Sequence, residues 1–326
     1  MKKELIKLLK CPQSGQKLSF LSVNPSLDEV VNGSLISEDA KHRYPIKNGI
    51  PRFVNESNYA DSFGIQWNHF SKTQLDSFSG HNISSDRFWK ATGWTGNEMK
   101  HKWVLDIGCG SGRFSEVALK AGAKVVAIDY SSAVDACYEN LIDHDNIYIV
   151  QANIYELPFV KGSFDFVYAL GVLQHTPDVS KAFLSLPPML KSGGKLCVDY
   201  YEKKWAINIL PKYWLRPITK HIPKPILFKL LKKLVVPLLF ISRTLSMIPF
   251  VGHYLKRLVP VANYYSILPL NKQQHIEWSL LDTFDWLSPS YDYPQRKSVV
   301  EGWMEKAGLS DIQILQAGHL VTRAKK

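Results

Sequence analysis

Three closely spaced glycines after a short apolar run have the clearest chemical meaning in this sequence. The run 104–107 contains one carboxylate, Asp106, and leads directly into Gly108, Gly110 and Gly112. Glycine permits the positive φ angles of a tight turn and leaves room for a ligand against the main chain. Amide groups at the start of a following helix attract a carboxylate or a phosphate. The pattern therefore predicts a strand, a ligand-binding turn and a helix, in that order.

A second carboxylate, Asp129, ends the next apolar run, 124–128. At a strand end, a carboxylate can accept hydrogen bonds from both hydroxyls of a ribose. We therefore expect a cofactor that carries a nucleoside, with Tyr130 beside its ribose. Dehydrogenases use the pattern Gly-x-Gly-x-x-Gly, but Arg113 occupies the last position here. The alternative is a structural βαβ turn with no ligand.

The cysteines predict free thiols rather than a disulfide framework. Cys11, Cys109, Cys137 and Cys197 are scattered without regular spacing, and the last three fall in elements that we interpret as core. Cys109 could serve as a nucleophile, but between two glycines of a tight turn a small packing residue is favoured.

The motifs together resemble the class I S-adenosylmethionine-dependent methyltransferases, and in particular those of the type 11-like group. The glycines at 108, 110 and 112, the strand end at Asp129 and the segment 164–178 carry this resemblance, which covers roughly 60–325. It implies an α/β fold with a doubly wound, seven-stranded, mostly parallel Rossmann-like sheet that binds S-adenosylmethionine at the carboxyl ends of its strands. The residues assigned to the cofactor are Asp106, Gly108, Cys109, Gly110, Gly112, Asp129, Tyr130, Asn153, Ile154, Leu170 and Gly171.

The adenine and methionine ends of the cofactor are assigned through the same resemblance. The segment 151–159 resembles the stretch that holds adenine, with Asn153 where most relatives have an acid and with Ile154 against the ring. An amide can also hydrogen-bond adenine, through both its carbonyl and its nitrogen. The backbone around Leu170 and Gly171 is expected to face the methionine part.

Three residues are candidates for the chemistry of methyl transfer. His175 begins the helix after the fourth strand, near the expected methyl group, while Tyr200 and Tyr201 end the fifth strand. A base is needed only when the acceptor is a hydroxyl or a carbon; an amine acceptor needs no essential side chain. Positioning in a dry pocket supplies most of the catalysis in either case. A purely orienting role for His175 is the alternative.

The 326 residues suggest one main domain with appendages. Residues 1–56 resemble the zinc-ribbon-like module found as an activator of, or fused to, methyltransferases; Ser14 replaces the second cysteine of a zinc pair, so we predict a module without metal. Residues 57–101 are expected to be a helical lead-in that covers the cofactor. Residues 102–202 and 276–326 form the predicted core, and 203–275 form an insert.

The insert carries the whole positive excess of the chain. Twelve Lys and Arg residues and no Asp or Glu lie between Lys203 and Arg257, and the rest of the chain holds 28 basic and 29 acidic residues. Prolines at 211, 217, 223, 225, 237, 249 and 260 predict short helices, and the longest uncharged runs are far below the length of a membrane span. Within 226–236, three lysines share one helical face opposite several leucines, and these lysines are Lys229, Lys232 and Lys233. Three interpretations of this helix stay open. In order of preference, they are contact with an anionic membrane surface, a plain helical cap and a nucleic-acid patch.

Methyl transfer from S-adenosylmethionine to a small-molecule or lipid-linked acceptor is the leading hypothesis. An RNA methyltransferase is the second, because of the zinc-ribbon-like start and the positive charge. A non-catalytic protein that kept the fold is the third. The residues 1–10 lack a signal-peptide pattern, so we expect a cytoplasmic protein, peripheral on the inner membrane face under the lipid hypothesis. The oligomeric state is left open.

Overall fold

The computed structural model describes residues 1–21, 29–54, 58–203 and 210–326. The predicted module, lead-in and insert each include a few residues outside these ranges. The first described unit is a small antiparallel sheet with the order β1-β2-β3-β4. Its strands are β1 (Leu18–Leu21), β2 (Gly33–Ser37), β3 (Arg43–Lys47) and β4 (Ile50–Pro51).

Helices follow this module, as predicted for the lead-in. They are α1 (Asp61–His69), α2 (Asp76–Ser79), α3 (Ile83–Thr92) and α4 (Gly96–Met99). Helix α4 begins with a reciprocal capping box between Thr95 and Glu98, which satisfies two amides that have no partner inside the helix. The ring of Phe88 on α3 is fully buried, so this part of the chain packs firmly on the domain that follows.

The central domain alternates strands and helices. Its elements are β5 (Trp103–Ile107), α5 (Arg113–Lys120), β6 (Lys124–Asp129), α6 (Ala133–Leu141), β7 (Ile147–Gln151), β8 (Phe164–Ala169), α7 (Val179–Leu184) and β9 (Leu190–Tyr200). Each of the strands β5 to β8 is a short apolar run that is buried along almost its whole length, as parallel strands covered on both faces must be. The strand–turn–helix predicted around the glycines is confirmed.

The chain ends with α12 (Lys297–Lys306) and an antiparallel hairpin of β10 (Ser310–Gln316) and β11 (Leu320–Lys325). Strand β11 inserts beside β9, and the complete sheet has seven strands in the order β10-β11-β9-β8-β5-β6-β7. Strand β5 pairs with β6 on one side and β8 on the other, both in parallel. The order therefore reverses between β5 and β8, where a doubly wound sheet opens a crevice at its carboxyl edge.

The N-terminal module covers one edge of this sheet. Arg52 bridges to Gln151 on the edge strand β7, and the amide of Phe53 donates to the carbonyl of Gln151 at 2.8 Å. The guanidinium of Arg52 also contacts Asp135 at 2.6 Å. Leu35 of the module belongs to the same buried cluster as the strands of the large sheet. The module thus shares its core with the domain and protects an exposed strand edge.

The insert is helical, but its longest helix is not short. Its helices are α8 (Pro211–Thr219), α9 (Lys224–Ser246) and α10 (Gly252–Leu255). The prediction that prolines divide the insert into short helices is wrong for α9, which has 23 residues. Pro225 lies in its first turn, where an amide has no partner in any case, and Pro237 removes only one hydrogen bond from a helix held by tertiary packing.

A further helix, α11 (Lys272–Leu287), crosses the predicted boundary at 275. The sequence analysis placed the return to the core at this point, yet Leu281 and Phe284 of α11 pack with Leu227 and Leu231 of α9 in one buried cluster. Helix α11 therefore joins the insert to the core. No helix of the described residues combines the length and apolar character needed to cross a membrane.

Candidate active site

A cavity of about 1220 Å³ opens at the carboxyl edge of the sheet. Its inner wall comes from the turns after β5, β6 and β8, which is the crevice created by the reversal of strand order. Its other walls come from the lead-in helices and the insert. The predicted cofactor residues that line it are Gly108, Cys109, Gly110, Asp129, Tyr130, Ile154, Leu170 and Gly171.

The glycine turn is shaped so that larger residues would not fit. Gly108 has φ 72° and Gly110 has φ 54°, in the left-handed region that disfavours residues with a side chain. A Cβ atom on Gly108 would lie 2.5 Å from a methyl group of Val172, and one on Gly110 would lie 3.0 Å from the ring of Trp67. Trp67 belongs to α1, so the lead-in lies directly over the turn.

Asp129 is held in position by three donors. Its Oδ1 accepts from the amide and the hydroxyl of Ser131, at 2.8 and 2.7 Å, and its Oδ2 accepts from the amide of Gly110 at 3.1 Å. Burial raises the pKa of this carboxyl. The hydrogen bonds lock a carboxylate beside the glycine turn, where it can accept ribose hydroxyls.

The turn after β8 is held in place by a charged pair. The amide of Gly171 donates to Asp199 at 2.5 Å, and Asp199 pairs with Arg87 of α3 at 2.8 Å. This pair joins the lead-in to the turn after β8. Arg87 is a site residue that the sequence analysis missed, because only the packing of α3 brings it to this strand end.

Three predicted cofactor residues do not line the cavity. Asp106 is buried behind the turn and accepts a hydrogen bond from the Ser115 hydroxyl at 2.6 Å; burial raises its pKa to about 7. Gly112 starts α5, and a Cβ on it would lie 2.6 Å from Leu141. Asn153 accepts a bond from the amide of Tyr155 at 3.1 Å. These residues shape the turns, and their direct contact with the cofactor stays a prediction.

Cys109 is buried in the turn. Burial, reinforced by the neighbouring Cys137, holds the pKa of its thiol well above the ordinary value. A neutral thiol is a poor nucleophile, in agreement with a packing role. All four cysteines are buried and free.

Cys11 of the N-terminal module makes hydrogen bonds inside the module. The sulfur of Cys11 lies 3.2 Å from the hydroxyl of Tyr44 and accepts from the amide of Ser14 at 3.4 Å. Within the described residues, His, Cys, Asp and Glu side chains form no group of three or more that could hold a metal.

His175 lies in the cavity wall. Its Nδ1 is 3.0 Å from the carbonyl oxygen of Tyr291. A carbonyl oxygen can only accept, so Nδ1 is the donor of this bond, and Nε2 is not part of it. The ring lies between Phe63 of α1 and Tyr201, at centroid distances of 5.2 and 5.6 Å. The geometry suits a group that orients an acceptor or takes its proton.

The two candidate tyrosines are separated by the alternation of a strand. Tyr201 lines the cavity, where its hydroxyl donates to Asp285 at 3.4 Å and its ring contacts His319. Tyr200 is fully buried on the other side, in the core cluster that includes Trp303. The prediction that Tyr200 reaches the chemistry is therefore wrong, because successive side chains of a strand point to opposite faces.

Charged side chains on α11 and α5 also line the cavity, and no sequence motif marked them as catalytic. Asp282 and Asp285 lie three residues apart on α11, and both line the cavity. Tyr264 donates to Asp282, whose pKa is raised to about 6 by burial and by Asp285. Arg113 is bound by Ser84 and Gln74, and burial lowers its pKa to about 9. Asp282 and Asp285 reach the cavity because residues Lys272–Leu287 form a helix.

A second ion cluster fixes the insert beside His175. Asp292 is almost fully buried and pairs with Lys212, at 3.3 Å, and with Arg216. Arg216 also donates to the carbonyl of Trp286. A buried carboxylate between two cations locks α8 onto the segment that holds Tyr291.

Comparisons with known proteins agree with this site. Residues 105–198 match the methyltransferase domain model, and residues 2–49 match the Trm112p-like protein model. A tRNA U34 carboxymethyltransferase of Shewanella sediminis is 33% identical over 37% of this chain and 40% of its own length. A ubiquinone biosynthesis O-methyltransferase of Coxiella burnetii is 33% identical over 35% of this chain and 55% of its own. The chain thus spans about half the length of these relatives or less.

Among solved structures, human N-acetylserotonin methyltransferase in complex with S-adenosylmethionine is 11% identical, with a TM-score of 0.41 over 82% of this chain and 56% of that one. The sheet order and the glycine turn agree with the methyltransferase domain model that residues 105–198 match. The Trm112p-like match lies on the N-terminal side of this unit.

Proposed function

We propose that this protein transfers a methyl group from S-adenosylmethionine to a lipid-linked or other small-molecule acceptor at a membrane surface. The observation that carries the catalytic part is the pairing of Gly110 with Asp129 at the cavity wall. The glycine turn accommodates the cofactor backbone, Asp129 accepts the ribose hydroxyls, and Leu170 and Gly171 face the methionine part. Methyl transfer from a sulfonium expels a neutral thioether, so orientation in this enclosed site supplies much of the rate.

Calorimetric titration with S-adenosylmethionine and S-adenosylhomocysteine tests the cofactor. We expect micromolar binding by the full chain and at least a tenfold loss in Asp129→Asn. Two ribose hydroxyls need two acceptor oxygens, and the amide of Asn replaces one of these oxygens with an NH2 donor. Asp143→Asn, at an exposed position after α6, is the matched control. Absence of binding by the unchanged protein would refute the enzyme and leave the non-catalytic alternative.

The membrane part is supported by the exposed side of α9. Lys229, Lys232 and Lys233 are exposed there, as predicted. Leu230 and Leu234, which lie among the leucines opposite the lysines in the sequence pattern, are 45% and 39% exposed. The buried seam of α9 consists of Leu227, Leu231, Val235 and Leu239, which lie about one turn apart in the cluster shared with α11. A helix that exposes lysines and leucines together suits an anionic lipid surface.

Vesicle flotation tests this contact. The protein should float with vesicles of phosphatidylglycerol and phosphatidylcholine, and changing Lys229, Lys232 and Lys233 to Glu should abolish flotation at low salt, at about 1 kcal/mol per basic residue near the lipid. The control places the same reversals at the exposed Lys100, Lys161 and Lys306, which lie outside the insert. Flotation that is equal in both variants would contradict the assignment.

An RNA acceptor is the second candidate, favoured by the Trm112p-like module and by the tRNA-modifying relative. It predicts transfer of labelled methyl groups into tRNA and binding that weakens steeply with salt. Labelled S-adenosylmethionine offered with both a total lipid extract and total tRNA distinguishes the two acceptors. We expect label in the organic phase.

A further inference from the structure

The segment after α9 exposes an unusual density of apolar side chains. Phe250 is 100% exposed, and Met247 and Tyr254 are 69% and 68% exposed. Ile248, Val251 and Leu258 are exposed as well. Exposed aromatic and aliphatic groups in one short segment mark a surface that meets lipid or protein. We call residues 247–258 the apolar tip.

The backbone of the apolar tip is strained at Phe250, whose side chain points outward. Phe250 has φ 63°, a region that residues with bulky side chains rarely occupy. Such a conformation persists only where the surrounding structure imposes it, and it is most frequent at functional positions. The turn between α9 and α10 therefore presents this ring to the outside.

The apolar tip also borders the entrance of the catalytic cavity. His253, Lys256 and Arg257 belong to the tip and line the cavity. Ile267 also lines the cavity, and it is 63% exposed to solvent. A residue that both lines the cavity and is exposed lies at its opening. The opposite side of the opening is formed by α3, with Asn82, Asp86 and Lys90 exposed in the cavity lining.

The charge of this rim fits the head groups of an anionic bilayer. Arg257 and His253 lie side by side, with Nη2 2.8 Å from Nε2. The sequence from Lys203 to Arg257 contains no Asp or Glu, so the tip itself carries only basic charge. In an anionic bilayer, the apolar side chains of the tip would meet the acyl chains, and the basic side chains behind them would meet the lipid phosphates. A second copy of this chain would meet the same cations and be repelled.

We propose that the apolar tip inserts into an anionic bilayer and that the cavity thereby opens directly onto the lipid interface. This inference rests on the proposed function and deepens it. The acceptor is an amphiphile whose polar head reaches Asp282, Asp285 and Tyr201 while its apolar tail stays in the membrane. The wall of carboxylates and hydroxyls supplies hydrogen-bond partners for such a head, and the tip supplies an apolar path for the tail.

Depth-sensitive fluorescence tests the insertion without knowledge of the acceptor. A nitrobenzoxadiazole label is attached to Phe250→Cys, since the native cysteines are buried, and to Val299→Cys on α12 as the control. On phosphatidylglycerol-containing vesicles with brominated acyl chains, the label at 250 should be quenched and the label at 299 should not. Equal behaviour of the two labels on vesicle-bound protein would overturn the proposal.

A second measurement uses affinity. Phe250→Asp with Tyr254→Asp should weaken vesicle binding at least tenfold and leave S-adenosylhomocysteine binding unchanged. The matched control is Val31→Asp with Val299→Asp, two exposed apolar positions outside the insert. Unchanged vesicle affinity in the tip variant overturns the proposal. So does a lipid-free dimer, seen by sedimentation, that the tip variant dissociates.

These results are separable from the methyltransferase proposal. Failure of the wild-type protein to bind S-adenosylmethionine would refute the catalytic function and leave the vesicle results standing. Cofactor binding together with an unquenched label at 250 would leave the catalytic function standing and refute the insertion.

Discussion

The Nδ1 atom of His175 donates a hydrogen bond to the carbonyl oxygen of Tyr291 at 3.0 Å, and this bond orients the imidazole ring in the cavity wall. Tyr291 lies next to Asp292, whose pairs with Lys212 and Arg216 hold the segment in place. The position of a residue at the sheet edge thus depends on the insert. The proposed base, His175, therefore needs the packed insert to keep its position in the cavity.

Replacing His175 tests its role in the chemistry. His175→Gln should lower kcat for lipid-extract methylation by about 100-fold, the usual contribution of a positioned base, with cofactor affinity unchanged. His42→Gln, in the N-terminal module, is the control. An unchanged kcat would reduce His175 to an orienting residue.

The two neighbouring tyrosines provide an internally matched pair. Tyr201→Phe removes the hydroxyl that donates to Asp285 but keeps the ring against His175 and His319. We expect an increase in KM for the acceptor of about tenfold, from the loss of one hydrogen bond to a charged group. Tyr200→Phe should leave kcat and KM unchanged, since Tyr200 is a core residue. Equal kinetic effects of both changes would contradict the assignment.

Two glycines should separate binding from stability. Gly110→Ala places a Cβ against Trp67, so the lead-in helix must shift, and we expect at least a tenfold loss of S-adenosylmethionine affinity. Gly112→Ala places a Cβ 2.6 Å from Leu141 at φ 94°, which should cost about 1–3 kcal/mol of unfolding free energy. Calorimetry and urea denaturation measure the two effects. The prediction fails if Gly112→Ala weakens binding more than Gly110→Ala does.

The buried carboxyl of Asp106 should make stability depend on pH. Its pKa is about 7 in the folded protein and close to 3.8 when unfolded, so the folded state binds the proton more tightly. The contribution of Asp106 to the free energy of unfolding is therefore fully present below pH 4. It decreases as the pH rises towards 7, by up to about 4 kcal/mol. Urea denaturation of the wild type and of Asp106→Asn at pH 5 and pH 8 measures the difference. The variant should lose this part of the pH dependence; an identical slope in both proteins would refute it.

Removing the edge cover tests the module. Arg52→Ala deletes the contacts with Gln151 and Asp135 and should destabilise the protein by about 1–3 kcal/mol, because charged hydrogen bonds are lost from a partly buried site. Lys41→Ala, at an exposed position of the same module, is the control. Equal unfolding midpoints of the two variants would contradict a docked module.

Local patterns were sufficient for the sheet and for the cofactor side of the site. Gly108, Gly110 and Asp129 could be identified from sequence because a glycine turn and a strand-end carboxylate are properties of short segments, and parallel strands bring their carboxyl ends to one edge.

Tertiary structure alone decided the acceptor side. Asp282 and Asp285 face the cavity because α11 is a helix that packs on α9, and Arg87 reaches Asp199 because α3 crosses the end of β8. Side-chain alternation separated Tyr201 from Tyr200, and packing separated Leu231 from Leu230 on one helix. These contacts join residues that lie far apart in sequence, and their free energy depends on how whole elements pack, which no short segment encodes.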